Sequence, residues 1–387
     1  MPSGAVSSVM SEPTLDDRGP RLGQSVDDLE TPRLLVDVET MERNVTEMVA
    51  FADDHDVTLR SHVKTHKNAE LARMESQIAG DSGVVCQKLG EVEVMARNGI
   101  DDVYLSYQVV GERKLDRLVR LSKKLDEFAT TVDGKEQVRQ LQAAAARGDE
   151  TVDVIVEIDL GLGRTGVDPG DSAVELARFV DDQPNLSFEG LLAYEAHVKG
   201  EAESREDYER LCEEAMDVTE ETVDAIEAAG IEVEEVKVGG TATSRYSGKH
   251  PVVSEINPGM YPFNDVGELE HRPFDVSKAD CAATVVTTVV STPTEDRAVV
   301  DAGSKTFGMD KSQNPVPRHR DDVAYVNASE EHGWLDTSDA DEVSVGDRIE
   351  FVVPHVCTTI NLHDEMVGHR DGEVTDVWSV QARGKIR

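Results

Sequence analysis

Cysteines and long apolar runs are both scarce in this sequence. Its four cysteines (Cys86, Cys212, Cys281 and Cys357) lie far apart in 387 residues and form no CxxC motif. Disulfides are therefore not expected in so large a chain. No segment reaches the roughly 18 consecutive apolar residues of a membrane span. The N-terminus also lacks the basic and then apolar segments of a secretory signal, so we expect a cytoplasmic protein with no membrane partner.

Basic residues are few as well. Lysine and arginine number 39 against 78 aspartates and glutamates, which gives a formal net charge of −39. Such a surface repels nucleic acid and anionic lipid, so neither is an expected partner. The acidic residues are spread through periodic segments rather than gathered in one tail, which argues against disorder. Molar salt shortens the Debye length to about 3 Å and screens this self-repulsion, so we expect a halophile's cytoplasm.

Short β-rich runs alternate with helical patterns over most of the chain. Residues 1–25 are rich in Ser, Pro, Gly and Asp and are predicted to be a disordered leader. A helix is predicted over 38–54, where Met41 and Val45 share a face. Eight β-rich runs follow, at 57–63, 83–87, 103–106, 129–132, 152–159, 188–194, 233–238 and 253–256. They predict an α/β fold, a (β/α)8 barrel over residues 26–268, although a doubly wound open sheet shows the same alternation.

The pattern changes toward the C-terminus. Runs rich in Val and Thr at 281–290, 297–301, 348–354 and 374–380 predict strands separated by Gly/Asp turns. Helical periodicity is nearly absent there, and no internal repeat is visible. Residues 269–387 are therefore predicted to form a C-terminal β-domain.

In a barrel, the active site is expected at the C-terminal ends of the strands. The first strand ends in RSHVKTHK (residues 60–67, the lysine segment), where Lys64 lies among other basic groups. Neighbouring cations lower the pKa of a lysine, which suits a nucleophile that forms a Schiff base. Arg164 follows two glycines after the fifth strand, and Tyr194 and His197 follow the sixth. A solvated basic loop, a plain turn and a structural histidine are the alternatives.

The last two strand ends predict a phosphate site. Gly240 and Thr241 lie in the run GGTATS (residues 239–244, the phosphate cradle) before a short helix. This run offers free N–H groups, hydroxyl donors and a helix N-terminus. Tyr261 follows the eighth strand, where it can close over a phosphate. A lysine opposite a phosphate cradle predicts pyridoxal 5′-phosphate (PLP) as the cofactor, attached to Lys64.

The β-domain carries a pair of side chains that bind metals. His355 and Cys357 are two residues apart on a predicted strand, so they project from the same face. Nitrogen and sulfur ligands favour Zn²⁺. From the spacing alone, a buried pair without an ion is the alternative.

From Thr31 to Arg387 the chain resembles the D-threonine aldolase / D-serine dehydratase family, whose barrel is of the alanine racemase type. The matching stretches are TPRLLVD, RSHVKTHK, GVVCQKLGEVE, EIDLGLGRTGV, VGGTATSRY, NPGMYPFND, VVDAGSKTFGMD, SEEHG and PHVCTTINLHDEMVGHRDGEV…ARGKIR. The family usually has proline where this chain has Ser61, which alters local stiffness but not the chemistry.

The resemblance implies a role for each candidate side chain. Lys64 would form the Schiff base with PLP, Arg164 would contact the cofactor, and Gly240, Thr241 and Tyr261 would hold the phosphate.

The same resemblance places Tyr194 and His197 near the cofactor ring and the substrate. It implies that His355 and Cys357 bind a divalent metal, Zn²⁺ rather than Mn²⁺. It also implies a homodimer in which the β-domain of one subunit completes the barrel mouth of the other.

Two reactions of D-3-hydroxy amino acids fit these groups. If Lys64 removes the α-proton and a metal helps hydroxide leave, the products are a keto acid and ammonia. If a base, His197, takes the β-hydroxyl proton, the Cα–Cβ bond cleaves to glycine and an aldehyde. The family's dehydratases tend to have His-x-Cys and its aldolases His-x-Asp, so Cys357 favours a dehydratase of the D-serine or D-3-hydroxyaspartate type. The following Thr-Thr-Ile-Asn-Leu run is more typical of an aldolase.

Two alternatives lie outside lyase chemistry. An amino-acid racemase shares the barrel and the lysine but needs no metal, and the pair His355 and Cys357 argues against it. A PLP carrier without enzymatic activity would need only the barrel, and the β-domain argues against that.

Lower salt is predicted to destabilise the protein. With a formal net charge of −39, a change from molar to about 0.1 M salt lengthens the Debye length to about 10 Å, so self-repulsion is screened less. We expect loss of fold or activity, measured as a lower melting temperature by circular dichroism. Equal melting temperatures at the two salt concentrations would contradict halophilic adaptation.

Overall fold

The computed structural model describes residues 19–387, so most of the predicted leader lies outside the described residues. The strands of this part are β1 (Arg33–Asp37), β2 (Thr58–Leu59), β3 (Val84–Cys86), β4 (Asp102–Gln108), β5 (Glu127–Val132), β6 (Val152–Ile158), β7 (Leu186–Ala193), β8 (Glu235–Val238), β9 (Glu255–Ile256), β10 (Ala283–Thr294), β11 (Arg297–Val300), β12 (Val316–Pro317), β13 (Ala324–Ala328), β14 (Gly333–Asp336), β15 (Arg348–Val352), β16 (Glu365–Arg370) and β17 (Glu373–Ser379). The helices are α1 (Val38–Asp54), α2 (Ala69–Ile78), α3 (Leu89–Arg97), α4 (Glu112–Ser122), α5 (Lys135–Gly148), α6 (Asp171–Asp181), α7 (Val198–Glu201), α8 (Arg205–Ala228), α9 (Ser244–Ser247), α10 (Val266–His271) and α11 (Val356–Leu362).

Eight strands form a parallel sheet in the order β2-β9-β8-β7-β6-β5-β4-β3. Its two outer strands meet through the lysine segment, because His62 forms a parallel bridge with Val85. The N–H of Val63 donates to the carbonyl of Val85 at 2.9 Å, and the N–H of Val85 donates to the carbonyl of Ser61 at 2.9 Å. The sheet therefore closes on itself, and the predicted barrel is confirmed.

The barrel strands and helices follow the apolar pattern of the sequence. Strand β6 is buried along nearly its whole length, as expected for a parallel strand with side chains packed on both faces. Helix α1 buries Met41, Val45 and Met48 along one stripe. It begins at Asp37, whose side chain accepts the N–H of Thr40 at 3.1 Å. No helix of the described chain is both long enough and apolar enough to cross a membrane.

The second sheet runs β13-β14-β11-β10-β1-β16-β17, and β15 pairs with β10 and β12. Strand β1 lies in its centre, antiparallel to β10 and parallel to β16. This differs from the predicted domains, which assigned all of 26–268 to the barrel. The chain thus starts in the β-domain, passes through the barrel and returns, and the predicted boundary at 268 falls inside α10. Residues just before β1 also join this domain, since the N–H of Gly23 donates to the carbonyl of Val374 at 2.8 Å.

The strand predicted over 348–354 does not continue to Cys357, and that part of the prediction is wrong. Strand β15 ends at Val352, and His355 is the N-cap of α11. Pro354 interrupts the strand because its nitrogen has no hydrogen to donate. The N–H of Val356 instead donates to Asp265 Oδ2 at 3.0 Å, which holds the first turn of α11 in place.

Truncation of a core residue in β1 is predicted to destabilise the β-domain. Leu34 is fully buried in the β-domain core, so Leu34→Ala removes packed methyl groups and should cost about 2–5 kcal/mol. Denaturant unfolding in molar salt measures this loss. Leu22→Ala is the control, because Leu22 is 70% exposed and such a change costs about 0.5 kcal/mol or less. Equal effects of the two substitutions would contradict the central position of β1.

Candidate active site

Lys64 lies at the barrel mouth, near charged groups from both domains. Its side chain is only half-buried by surface area, but burial is still the largest influence on its pKa and lowers it. Nearby Cys357 raises that pKa, whereas Arg164 lowers it further. The lowered pKa agrees with the sequence-based expectation, although burial rather than the basic neighbours is its main cause. A lowered pKa increases the neutral fraction of a lysine, and the neutral amine is the form that attacks a carbonyl.

The C-terminal tail (residues 379–387) fastens the end of the lysine segment. The carbonyl of Lys67 accepts the N–H of Ala382 at 2.9 Å, and the Asn68 side chain donates to the carbonyl of Ser379 at 2.7 Å. Gln381 Oε1 accepts the N–H of Ala69 at 2.9 Å. The β-domain therefore fixes the backbone that carries Lys64.

Arg164 and Tyr194 form one wall of the mouth. The guanidinium carbon of Arg164 lies 4.8 Å from the centre of the Tyr194 ring. Arg164 Nη2 also lies 3.3 Å from Glu157 Oε1, and the Thr165 hydroxyl donates to the same oxygen at 2.8 Å. Burial raises the pKa of Tyr194, and Arg164 partly offsets this. Glu157, which contacts Arg164, was not among the side chains predicted from the sequence.

His197 lies beside the glycine-rich loop after β6. A methyl group added at Gly161 would lie 3.7 Å from the His197 ring, and Gly161 has a φ of +122°. Asp159 Oδ1 accepts the N–H groups of Gly161 and Gly163, each at 3.0 Å, and thereby shapes this loop. His197 Nδ1 is buried and has no hydrogen-bond partner within residues 19–387. This leaves a ring nitrogen free at the mouth to exchange a proton.

The phosphate cradle has the geometry that a phosphate group needs. Among the described residues, the N–H groups of Thr241 and Ala242 donate to no other group. A side chain at Gly240 would lie 3.3 Å from the Tyr194 ring, so glycine keeps the backbone open there. Gly239, with φ +95°, donates its N–H to Glu195 Oε2 at 3.1 Å. These free N–H groups fit the phosphate of PLP.

Buried Glu195 holds the backbone of the phosphate cradle, and it was not among the side chains predicted from the sequence. Besides Gly239 it accepts the Ser247 hydroxyl at 2.7 Å, so it joins the cradle to α9. The connection after β9 is attached as well, because the N–H of Met260 donates to Thr241 Oγ1 at 2.8 Å. Tyr261 and Thr241 line the same cavity, which places Tyr261 beside the cradle as predicted.

His355 and Cys357 come together at the start of α11. The carboxylate of Asp310 contacts His355 Nδ1 at 2.8 and 3.0 Å, which leaves Nε2 free. Burial lowers the pKa of His355, but Cys357 and Asp310 raise it to about 9. Cys357 Sγ lies 3.2 Å from the Thr65 hydroxyl, next to Lys64 in the sequence.

This donor set fits a divalent metal. Metal-binding histidines commonly hold their other ring nitrogen against a carboxylate, as His355 does with Asp310. Asp310 was not among the side chains predicted from the sequence. The other side chain of the pair, Cys357, offers a sulfur atom, which suits Zn²⁺ better than Mn²⁺. Of the two side chains, Cys357 lies beside the lysine segment of the same chain, through its contact with Thr65.

A different cluster, Glu213, Asp217 and His250, brings three possible ligand atoms together on the outside of α8. His250 Nδ1 accepts the N–H of Val252 at 3.2 Å, so the neutral ring carries its proton on Nε2. That nitrogen faces Asp217 Oδ1 at 3.6 Å. A protonated Nε2 cannot ligate a metal, so His250 does not fit an ion in this cluster.

Known proteins match the chain along nearly its whole length. Residues 36–264 match the alanine racemase N-terminal domain, and residues 282–369 match the putative serine dehydratase domain. The 3-hydroxy-D-aspartate aldolase of Paracoccus denitrificans (strain Pd 1222) is 36% identical over 94% of each chain. The D-threo-3-hydroxyaspartate dehydratase of Delftia sp. (strain HT23) is 27% identical, over 86% of this chain and 92% of the relative.

A solved structure shares the whole architecture. The D-threonine aldolase of Filomicrobium marinum superposes with a TM-score of 0.90 at 36% identity, covering 95% of this chain and 99% of its own. The barrel and the β-domain thus occur together here as in this solved structure. These matches show an alanine racemase-type barrel. The chain belongs to the D-threonine aldolase / D-serine dehydratase family of PLP-dependent lyases, which act on D-hydroxy amino acids.

Proposed function

We propose that this lyase cleaves a D-3-hydroxy amino acid, with 3-hydroxy-D-aspartate as the leading substrate, to glycine and an aldehyde. The observation that carries this choice is the 36% identity to a 3-hydroxy-D-aspartate aldolase over 94% of both chains. Identity to the dehydratase named above is lower, at 27%. A free ring nitrogen on His197 adds support, because cleavage needs a base for the β-hydroxyl proton.

The barrel residues hold and orient the reactants. When bound, PLP supplies an electron sink at the Cα of the amino acid. Lys64 is the attachment point, and the free N–H groups of Thr241 and Ala242 hold the phosphate. The Arg164–Tyr194 pair forms a rigid wall against which the substrate is positioned.

Proton movement in this proposal uses two side chains of the mouth. His197 takes the β-hydroxyl proton on a ring nitrogen while the Cα–Cβ bond breaks and the aldehyde leaves. Lys64 then returns a proton to Cα, which completes glycine. Its lowered pKa favours the neutral amine, which is the form that attaches to a carbonyl.

The metal site belongs to the same proposal. His355 Nε2 and Cys357 Sγ would hold the divalent ion, with Asp310 orienting the imidazole. Two protein ligands leave coordination positions for water and substrate, and the ion would act as a Lewis acid on the β-hydroxyl.

Dehydration to a keto acid and ammonia is the second candidate, and Cys357 favours it. In this family the His-x-Cys pair is more typical of dehydratases than of aldolases. A D-serine or D-3-hydroxyaspartate substrate would then lose its β-hydroxyl, and Lys64 would remove the α-proton. The homodimer and the high-salt cytoplasm implied by the sequence remain predictions, and the metal pair reaches Lys64 without a second subunit.

Product analysis distinguishes the two reactions. Purified protein with added PLP and Zn²⁺ is incubated in molar salt with 3-hydroxy-D-aspartate, D-threonine or D-serine. We expect glycine and an aldehyde in equal amounts from the first two substrates and none from Lys64→Ala, because cleavage needs the attached cofactor. Keto acid and ammonia without glycine would contradict the aldolase proposal and favour the dehydratase.

Removal of the metal is predicted to stop turnover while sparing cofactor binding. The contacts to PLP come from the barrel, so EDTA treatment or Cys357→Ala should leave its absorbance nearly unchanged. Loss of Lewis-acid activation should slow turnover by about a thousandfold or more. Added Zn²⁺ should restore the EDTA-treated wild type but not Cys357→Ala.

The control for that experiment is Asp217→Ala, because Asp217 belongs to the separate Glu213, Asp217 and His250 cluster and its side chain is 60% exposed. It should keep both activity and metal content. A chelated enzyme that retains full activity on every D-3-hydroxy amino acid it accepts would contradict the metal mechanism and favour a racemase-type reaction.

A further inference from the structure

Four polar side chains are buried together behind the lysine segment, and the mechanism above leaves most of them unused. Ser61, His66, Glu75 and Tyr261 are each at most 3% exposed. Ser61 and His66 flank Lys64 in the lysine segment, Glu75 comes from α2, and Tyr261 follows β9. A carboxyl group buried without a lysine or arginine partner costs free energy, so its surroundings must be unusual.

The hydrogen atoms of this cluster can be assigned from its contacts. The N–H of Asn68 donates to His66 Nδ1 at 3.1 Å, so the neutral His66 ring carries its proton on Nε2. His66 Nε2 faces Glu75 Oε1 at 3.4 Å, and neither atom has another partner among residues 19–387. The Ser61 and Tyr261 hydroxyls lie 2.6 Å apart, and both are near enough to the Glu75 carboxyl to lower its pKa.

All titratable groups that face Glu75 are uncharged near neutral pH. Burial raises the pKa of Glu75 to about 8, although hydrogen bonds from Ser61 and Tyr261 lower it somewhat. Burial lowers the pKa of His66, on the lysine segment, to about 3. Burial and Glu75 raise the pKa of Tyr261, on the connection after β9. Glu75 is therefore protonated in the folded protein at neutral pH.

The proton on Glu75 determines where the two hydroxyl groups point. An ionised carboxylate only accepts, so it would draw the protons of Ser61 and Tyr261 toward itself. The Tyr261 oxygen would then present lone pairs to any phosphate, which repel an anion. A protonated carboxyl instead donates into the Ser61–Tyr261 pair and leaves one hydroxyl proton free. That proton can point toward the cavity that Tyr261 shares with Thr241 of the phosphate cradle.

We propose that protonated Glu75 is a positioning residue for the cofactor phosphate, because it turns the Ser61–Tyr261 pair so that Tyr261 donates to that phosphate. The inference rests on the PLP site of the proposed function and adds a group that contacts no reacting atom. Its link through Ser61 is particular to this chain, because the resembling family usually has proline there.

Paired titrations with PLP and with pyridoxal, which lacks the phosphate, test this proposal. The full-length protein, freed of cofactor and kept in molar salt, is titrated with each ligand by absorbance. Tyr261→Phe and Ser61→Ala should weaken PLP binding by about tenfold, as expected for a lost hydrogen bond to a charged group. Pyridoxal binding should change by less than twofold, because the attachment at Lys64 is intact.

Glu75→Gln is the matched variant, since its amide donates as the protonated carboxyl does. It should keep wild-type affinity for PLP, whereas Glu75→Ala should lose about tenfold. The wild type should also bind PLP more weakly, relative to pyridoxal, as the pH rises through about 8, because Glu75 loses its proton there. Glu75→Gln has no such proton to lose, so its ratio of affinities should stay constant.

Several outcomes would overturn the inference. Equal weakening of PLP and pyridoxal in Tyr261→Phe and Ser61→Ala would indicate a merely structural role. A Glu75→Gln variant that binds PLP as poorly as Glu75→Ala, or that keeps the wild-type pH profile, would contradict the protonated donor. If circular dichroism shows that Glu75→Ala does not fold, the PLP affinity of Ser61→Ala and the pH profile of the wild type still test the role of Glu75. A wild type that binds neither ligand would overturn the PLP assignment itself, which is a separate result.

Discussion

Closure of the barrel at the lysine segment is the interaction on which the site depends. The N–H of Val85 donates to the carbonyl of Ser61, and the N–H of Val63 donates to the carbonyl of Val85; these bonds join the outermost strands, and Lys64 is the next residue. The position of the nucleophile is therefore fixed by the same bonds that complete the sheet. Lys64 lies in the turn directly after this bridge, and the bonds at Ser61 and Val63 hold the start of that turn at the barrel mouth.

The path of the chain explains how the second domain reaches the same point. Strand β1 lies in the β-domain and leads directly into α1 of the barrel, and the chain returns to the β-domain at β10. Two crossings between the domains limit their relative movement. As a result, Cys357 lies against Thr65, and the C-terminal tail bonds to Lys67 and Asn68. The barrel carries Lys64 and the phosphate cradle, and the β-domain brings Cys357 to the lysine segment.

Much of this architecture could be predicted from apolar periodicity. The predicted helix over 38–54 and the eight β-rich runs correspond to α1 and to the eight barrel strands. The strand ends then indicated Lys64, Arg164 and the phosphate cradle. Strand β1 was missed as a member of the β-domain, because a short apolar run does not identify its pairing partner. The pair at 355 and 357 was assigned to a strand because the effect of Pro354 was overlooked.

The supporting acidic residues could not be predicted. Glu75, Glu157, Glu195 and Asp310 are four among 78 acidic residues, and only their three-dimensional contacts separate them from the charged surface. Burial and proton position depend on neighbours that are distant in sequence. Fixed neighbours of this kind hold the reactive groups in place, and so they determine how well the site is organised.

The central claim is that Lys64 is the residue to which the cofactor attaches. Borohydride reduction of the PLP-loaded protein makes that attachment permanent, and mass spectrometry of its peptides then locates it. The account predicts a phosphopyridoxyl group on Lys64 alone. The same group on Lys67 or Lys199 instead, with Lys64 unmodified, would contradict it.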